Sequence, residues 1–305
     1  MKILINRQPV DGPWGGGNLW VKALIKHGPE FGLTFGTKLN QMYDAIFIID
    51  PRRDELGIGI DEIERYKLLH PQIPVFQRIN ECDERKGEKD QIDPILRRCS
   101  TVIDHTFWVS NWIKAYHRHY GWGCSQENES VIYNGVDSAI FNSHGLKRNN
   151  GKINIVTAHW SDNPWKGKDV HDWIDNFVGQ HPNEFTYTFI GRHSTPFKNA
   201  NLIPPLDGEK LAEELACYDI CINGSRQDPA PNAVIESIAC GLPTYAHKDG
   251  GGALELAGRD HMFNSPDELE KILLSKKFEP NTQWKPQSWE TCIEQYVKIM
   301  KNIVR

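Results

Sequence analysis

At 305 residues the chain is longer than one hydrophobic core organises well, so about two domains are expected and a lone small module is excluded. Hydrophobic residues at 39% and charged residues at 25% exclude a largely disordered chain. Thirty-five basic side chains against 40 acidic ones leave a net charge of −5, without the basic footprint by which most nucleic-acid binders release counterions.

No run approaches the ~18–20 uncharged apolar residues of a membrane span. The apolar run in Met1 to Arg7 is too short for a signal peptide and predicts a first β-strand. The expectation is a cytoplasmic protein with at most peripheral contact at the inner membrane face. The seven cysteines (82, 99, 124, 217, 221, 240 and 292) are odd in number and lack both a Cys-x-x-Cys pair and zinc-ligand spacing, so reduced thiols and no metal site are expected.

Short apolar runs alternate with amphipathic stretches, the pattern of stacked β-α-β units on a mostly parallel sheet. Strands are predicted at Lys2 to Asn6, Ala45 to Ile49, Pro74 to Ile79, Thr101 to Ile103 and Trp108. Trp20, Ala23, Leu24 and His27 line one face of a helix over Gly17 to His27, closed by Gly28; a second helix runs from Glu62 to His70. Asn142 to Lys152 is polar, contains glycine and lacks an apolar period, as a linker would.

The pattern then restarts. Strands are predicted at Ile153 to Ala158, Thr186 to Ile190, Asp219 to Ile222 and Pro243 to Ala246, with helices at Lys168 to Val178, Glu209 to Tyr218 and Pro231 to Cys240. A last helix carries Trp289, Cys292, Ile293, Tyr296, Val297, Met300, Ile303 and Val304 in a single stripe of buried character. The domains are therefore read as 1–145, 146–288 and a C-terminal helix at 289–305. Two doubly wound sheets would place strand C-termini along a cleft, where ligands of open α/β sheets bind.

Ser225 to Pro243 (SRQDPAPNAVIESIACGLP) holds the most chemistry. Pro231 suits a helix start, and the amides from about Pro229 to Ala233 would offer unpaired donors at the positive end of the helix dipole, a phosphate cradle. Glu236 falls one turn in, and Asp228 sits in the feeding loop. Such carboxylates accept from sugar and ribose hydroxyls without a metal. A plainer reading makes Asp228 a helix cap and Glu236 a solvated residue.

The stretch Asp228 to Pro243 followed by Gly250-Gly-Gly252 resembles the acidic motif of family 4 retaining glycosyltransferases of the GT-B fold. Three more segments are similar to that family: Val131-Ile-Tyr-Asn-Gly-Val-Asp137, Trp160-Ser-Asp-Asn-Pro-Trp-Lys166-Gly167 and Gly15-Gly-Gly17. The resemblance implies an α/β, GT-B-like architecture of two Rossmann-type domains facing a central cleft, with the C-terminal helix at 289–305 crossing back to the first domain. It implies that Asp228 contacts the transferred sugar, Glu236 the ribose hydroxyls and Lys166 the donor diphosphate, with Gly16, Gly17, Pro231, Asn232 and Ala233 along the donor.

Trp160 stands where many members carry an arginine six residues before the lysine, which leaves diphosphate charge to Lys166, the helix amides and Arg192. No histidine follows the strand Pro74 to Ile79, so Arg78, Asn80 and Asp83 are the candidates there for donor sugar or acceptor, with His105 the nearest alternative. Trp112 to Trp122 mixes aromatic and basic residues on a helix that would suit a lipid-linked acceptor or an ordinary domain surface.

The expected activity is transfer of a hexosyl group from a nucleoside diphosphate sugar to a glycan or lipid-linked acceptor hydroxyl, with retention, without a metal or other cofactor and without a nucleic-acid partner. The alternatives are a non-catalytic sugar or nucleotide binder on the same fold, and a sugar-nucleotide epimerase or phosphorylase. The glycine run is not a proper Gly-x-Gly-x-x-Gly, which leaves a nicotinamide enzyme without its fingerprint.

Overall fold

The computed structural model describes all residues except 13, 123, 124, 143–146, 195 and 305. Cys124 and the expected boundary at 145 lie outside the described residues. The chain divides into two compact units, one of Met1–Glu84, Glu88–Gly135 and Trp289–Arg305, the other of Arg85–Gly87 and Val136–Ser288.

The first unit is built on a parallel sheet of β1 (Lys2–Ile5), β2 (Thr34–Gly36), β3 (Ala45–Ile48), β4 (Val75–Ile79), β5 (His105–Trp108) and β6 (Glu129–Val131), in the order β2-β1-β3-β4-β5-β6. Helices α1 (Gly16–His27), α2 (Ile60–Leu69), α3 (Asp93–Cys99) and α4 (Asn111–His119) connect them. Ala45 to Ile48 is wholly buried because helices cover both faces, which is why the strand reads as an unbroken apolar run. Thr101 to Ile103 is not a strand: the chain turns there and pairing begins at His105.

Two-residue strands β7 (Gly135–Val136) and β14 (Gln287–Ser288) pair with each other in a separate small sheet. The second unit repeats the plan with β8 (Ile153–His159), β9 (Phe185–Gly191), β10 (Asn201–Ile203), β11 (Ile220–Asn223), β12 (Thr244–His247) and β13 (Met262–Phe263), ordered β10-β9-β8-β11-β12-β13. Its helices are α5 (Lys168–Gln180), α6 (Gly208–Leu215), α7 (Asn232–Ala239), α8 (Ala253–Ala257) and α9 (Pro266–Ser275). The end of the expected linker is packed rather than free. The Arg148 amide donates to the Cys217 carbonyl over 3.1 Å, and its guanidinium lies 4.5 Å from the centre of the Tyr218 ring.

Helix α10 (Trp289–Ile303) packs within the first unit, against α1 and the face of the sheet that carries Phe47, Phe76 and Phe107. Tyr296 meets Trp20 edge-on at 5.0 Å and Phe107 at 4.6 Å. At about 1.5–3 kcal/mol for each large apolar side chain, its buried stripe contributes on the order of 10 kcal/mol before the entropy of ordering. No helix of the described residues is long and apolar enough to cross a membrane. The six described cysteines are free thiols, and no cluster of three metal-ligating side chains occurs among the described residues.

Candidate functional site

All strands of the second sheet are parallel, so their C-terminal ends share one edge, and the loops leaving that edge carry the motif residues. After β8 the chain runs through Trp160 into a short turn at Pro164–Lys166, capped by the Asn163 side chain, which accepts from the Trp165 amide over 2.9 Å. Gly167 follows at φ +97, and a Cβ there would fall 2.5 Å from the Gly224 carbonyl carbon. Only glycine lets this loop lie against the one leaving β11. The Arg226 amide then donates to the Trp165 carbonyl over 2.8 Å, tying the loops together.

That crossing delivers the Lys166 ammonium to the Asp228 carboxylate in a largely buried ion pair. Asp228 is 6% exposed. Burial works to raise its pKa, but the Lys166 charge and hydrogen bond outweigh it and hold the carboxyl below the ordinary value, so Asp228 is ionised. Its backbone is fixed as well. The Gly252 amide donates to the Asp228 carbonyl over 2.8 Å, and Gly251, at φ +68, lies so close that an added Cβ would fall 2.8 Å from the same oxygen.

Helix α7 begins immediately beyond this loop. Pro231 is its N-cap rather than its first-turn residue; no side chain caps the helix, and its first turn carries no acid. Asn232 and Ala233 thus open a helix with no acidic side chain in its first turn, while the Ala230 amide just before it donates to the Asp228 carboxylate. Glu236 lies one turn in and keeps part of its surface open. Removal of its carboxyl from water and, second, the charge of Asp207 at the start of α6 push its pKa up to about 7.

Beneath the lysine loop lies a buried polar relay. Nε2 of His171, on α5, faces the Lys166 carbonyl oxygen at 2.9 Å; a carbonyl only accepts, so Nε2 carries the proton. Nδ1 of the same ring is left to accept from the Tyr187 hydroxyl, 3.3 Å away, and His159 Nε2 lies 3.3 Å from His171 Nε2. Burial pushes the pKa of His171 down to about 4 and that of His159 well below the usual imidazole value, so both rings are neutral near pH 7. Arg226 braces the same loop through two bonds to the Asp169 carboxylate and one to the Gly224 carbonyl at 2.9 Å.

Arg192 is exposed after β9, its guanidinium 5.5 Å from the centre of the Trp160 ring. The residue in place of the expected arginine therefore presents an aromatic face to another arginine.

The first unit holds the other candidates. Gly16 and Gly17 open α1, and a Cβ on Gly17 would sit 3.3 Å from the Asn80 amide nitrogen, which places Asn80 against the glycine run. Asp83 is buried and accepts from the Ile92 and Gln91 amides at 2.6 and 2.9 Å, so its carboxylate holds a loop. His105 is the first residue of β5, at the opposite end of the strand from the ligand edge. It is bonded to Ser130 Oγ at 3.0 Å, and burial pushes its pKa down to about 4, as for a structural histidine. Arg78 is 1% exposed.

Sequence reasoning missed His171, Tyr187 and Arg226. The histidine lies on the apolar face of α5 and reads as a core position; only its place five residues after Lys166 hinted at a contact with that loop.

No protein-family model matches the sequence, and no curated protein is detectably similar to it. The fold has close counterparts among solved structures. HepE of Anabaena, solved with UDP and glucose, gives a TM-score of 0.73 at 14% identity, over 99% of this chain and 100% of that one. Sucrose-phosphate synthase of Thermosynechococcus elongatus gives 0.72 at 13% identity, over 99% and 98%. WaaG, a glycosyltransferase involved in lipopolysaccharide biosynthesis, gives 0.64 at 12% identity, over 98% and 95%. The architecture is thus α/β and GT-B-like, with two Rossmann-type units, as the motif resemblance implies.

Proposed function

We propose that the chain is a glycosyltransferase that moves a hexosyl group from a nucleoside diphosphate sugar to an acceptor hydroxyl, with retention of configuration and without a metal. The observation that carries this reading is the buried Lys166–Asp228 pair beside the uncapped start of α7, with Glu236 one turn in. The ammonium has three N–H donors, so it can keep Asp228 and still take a phosphate oxygen. The amides at Asn232 and Ala233 and the guanidinium of Arg192 supply further positive potential where the leaving diphosphate gains charge.

Asp228, held ionised, accepts from a hydroxyl of the transferred sugar, and Glu236 accepts from the ribose hydroxyls. The bond from anomeric carbon to diphosphate oxygen breaks, that to the acceptor oxygen forms on the same face, and the hydroxyl proton passes to the departing phosphate. HepE, solved with UDP and glucose, makes uridine the first base to try. The acceptor is a glycan or a lipid-linked saccharide, and the protein works in the cytoplasm with at most peripheral contact at the inner membrane face.

The test is nucleotide release from a panel of uridine, guanosine, adenosine and thymidine diphosphate sugars, with product anomers read by NMR in the presence of a chelator. Release that survives chelation and yields the donor's anomeric configuration is expected. A non-catalytic sugar-nucleotide binder is the second reading, favoured by the absence of a histidine after β4; donor binding with no release across the panel would establish it.

A further inference from the structure

The first unit buries a cation that no carboxylate among the described residues neutralises. Arg78 leaves the C-terminal half of β4 on the face covered by α1 and α10 and is 1% exposed. Its Nη2 donates to Asn134 Oδ1 over 2.6 Å, while Nε and Nη1 are buried without a hydrogen-bond partner, and no carboxylate among the described residues pairs with it. Its carbon Cζ lies 5.5 Å from the centre of the Trp20 ring.

Two more polar atoms in the same place lack a hydrogen-bond partner of good geometry: the indole Nε1–H of Trp20 and the hydroxyl of Tyr296, both fully buried. The Tyr296 hydroxyl lies within weak hydrogen-bonding reach of both the Arg78 guanidinium and the Trp20 indole, a neutral group that leaves the charge of the guanidinium uncompensated. Neither Tyr296 nor the neighbouring Cys292 can act as the counter-ion. Burial raises the pKa of both, the thiol to about 12, so each stays neutral. A guanidinium, an indole N–H and a hydroxyl converge, therefore, with no carboxylate among the described residues to receive them. An isolated buried charge is among the most costly groups a fold can hold, and donors of this geometry match an oxyanion.

The place suits a ligand. It lies near the C-terminal edge of a parallel sheet, where open α/β folds bind ligands. At that edge Gly15–Gly17 opens α1 with neither a capping side chain nor an acid in the first turn, and Gly17 rests against Asn80, two residues beyond Arg78.

We propose that Arg78, Trp20 and Tyr296 form an oxyanion site in the first unit, which takes the carboxylate or phosphate of an acidic acceptor. That the ligand is the acceptor rests on the transferase reading; that the site takes an oxyanion does not. Lys166, Asp228 and Glu236 of the donor machinery belong to the second unit, so their part of the donor site is separable from Arg78 by mutation.

The experiment titrates the full chain with glucuronate and with inorganic phosphate, at ionic strength matched with chloride, by thermal shift and calorimetry. Wild type is expected to bind at least one probe saturably, and which one responds says whether carboxylate or phosphate is the group recognised. Lys166→Ala should retain that binding even if all donor binding is lost, which separates this site from the donor reading. Arg78→Met should weaken it at least about tenfold. Should Arg78→Met fail to fold, Tyr296→Phe keeps the ring and removes only the hydroxyl, with a several-fold loss expected. Equal binding by wild type and the variant used, loss of binding in Lys166→Ala, or no response of wild type to either probe would overturn the proposal.

Discussion

The imidazole of His171 donates from Nε2 to the carbonyl oxygen of Lys166 across 2.9 Å, so the residue whose ammonium pairs with Asp228 is held from below by a neutral ring. One side of Lys166 faces the site and the other is anchored in the core. Removing the anchor should loosen the lysine without removing its charge. His171→Leu leaves the carbonyl without its donor, a loss of about 1–3 kcal/mol. It should raise the KM for donor about tenfold or more with a smaller change in kcat, while His171→Gln, whose amide can still donate, recovers most of the loss. Steady-state kinetics on both variants check this; equal kinetics in His171→Leu and wild type would remove the anchor from the account.

The same burial sets a stability profile in acid. The folded-state pKa of His171, about 4, lies below the ordinary imidazole value of about 6.5, so between those pH values the unfolded chain binds a proton that the folded chain does not. Stability is therefore full above about pH 6.5 and falls as the pH drops toward 4, by on the order of 3 kcal/mol for this ring. Urea melts of wild type and His171→Gln from pH 7 to 4.5 should converge as the pH falls. Parallel curves would show that His171 does not govern this window.

Glu236 predicts a dependence of the same sign, in binding. Its pKa of about 7 lies above the usual carboxylate value, so its carboxyl is only partly ionised near neutrality and cannot fully accept from ribose hydroxyls. Donor affinity should rise as the pH goes from 6 to 8. Glu236→Gln should bind more weakly and lose this slope, which calorimetric titrations at three pH values would show. A wild-type affinity independent of pH would argue against a ribose contact by this group.

Two glycines hold the site's backbone. Gly167→Ala forces a Cβ into Gly224, and Gly251→Ala forces one onto the Asp228 carbonyl, both from left-handed backbone. Each should cost about 2 kcal/mol or more, since relief must move a chain rather than a side-chain tip. Thermal unfolding reads the loss, and donor affinity should fall with it. Gly121→Ala is the comparison: it shares the left-handed backbone but has open space around the added Cβ, so it should cost less.

The alternation of strands and helices was legible because parallel strands buried on both faces are unbroken apolar runs, as Ala45 to Ile48 shows. Edge strands β2, β6 and β10 were not, since three residues carry too little pattern to stand out. Lys166 and Asp228 were each visible from motif. Their contact was not, because it depends on a close approach of Gly167 to Gly224 between loops far apart in sequence. Arg78 showed in the sequence as a strand cation; its burial without a counter-charge exists only once α1 and α10 cover the sheet.

Calorimetric titration of uridine, guanosine, adenosine and thymidine diphosphates into wild type and Lys166→Ala tests the central claim most directly. At least one of them should bind wild type, with affinity falling at least about tenfold in the variant, as expected for loss of a charge-assisted contact to phosphate. Equal affinities in the two proteins, or no binding of any of the four to wild type, would contradict it.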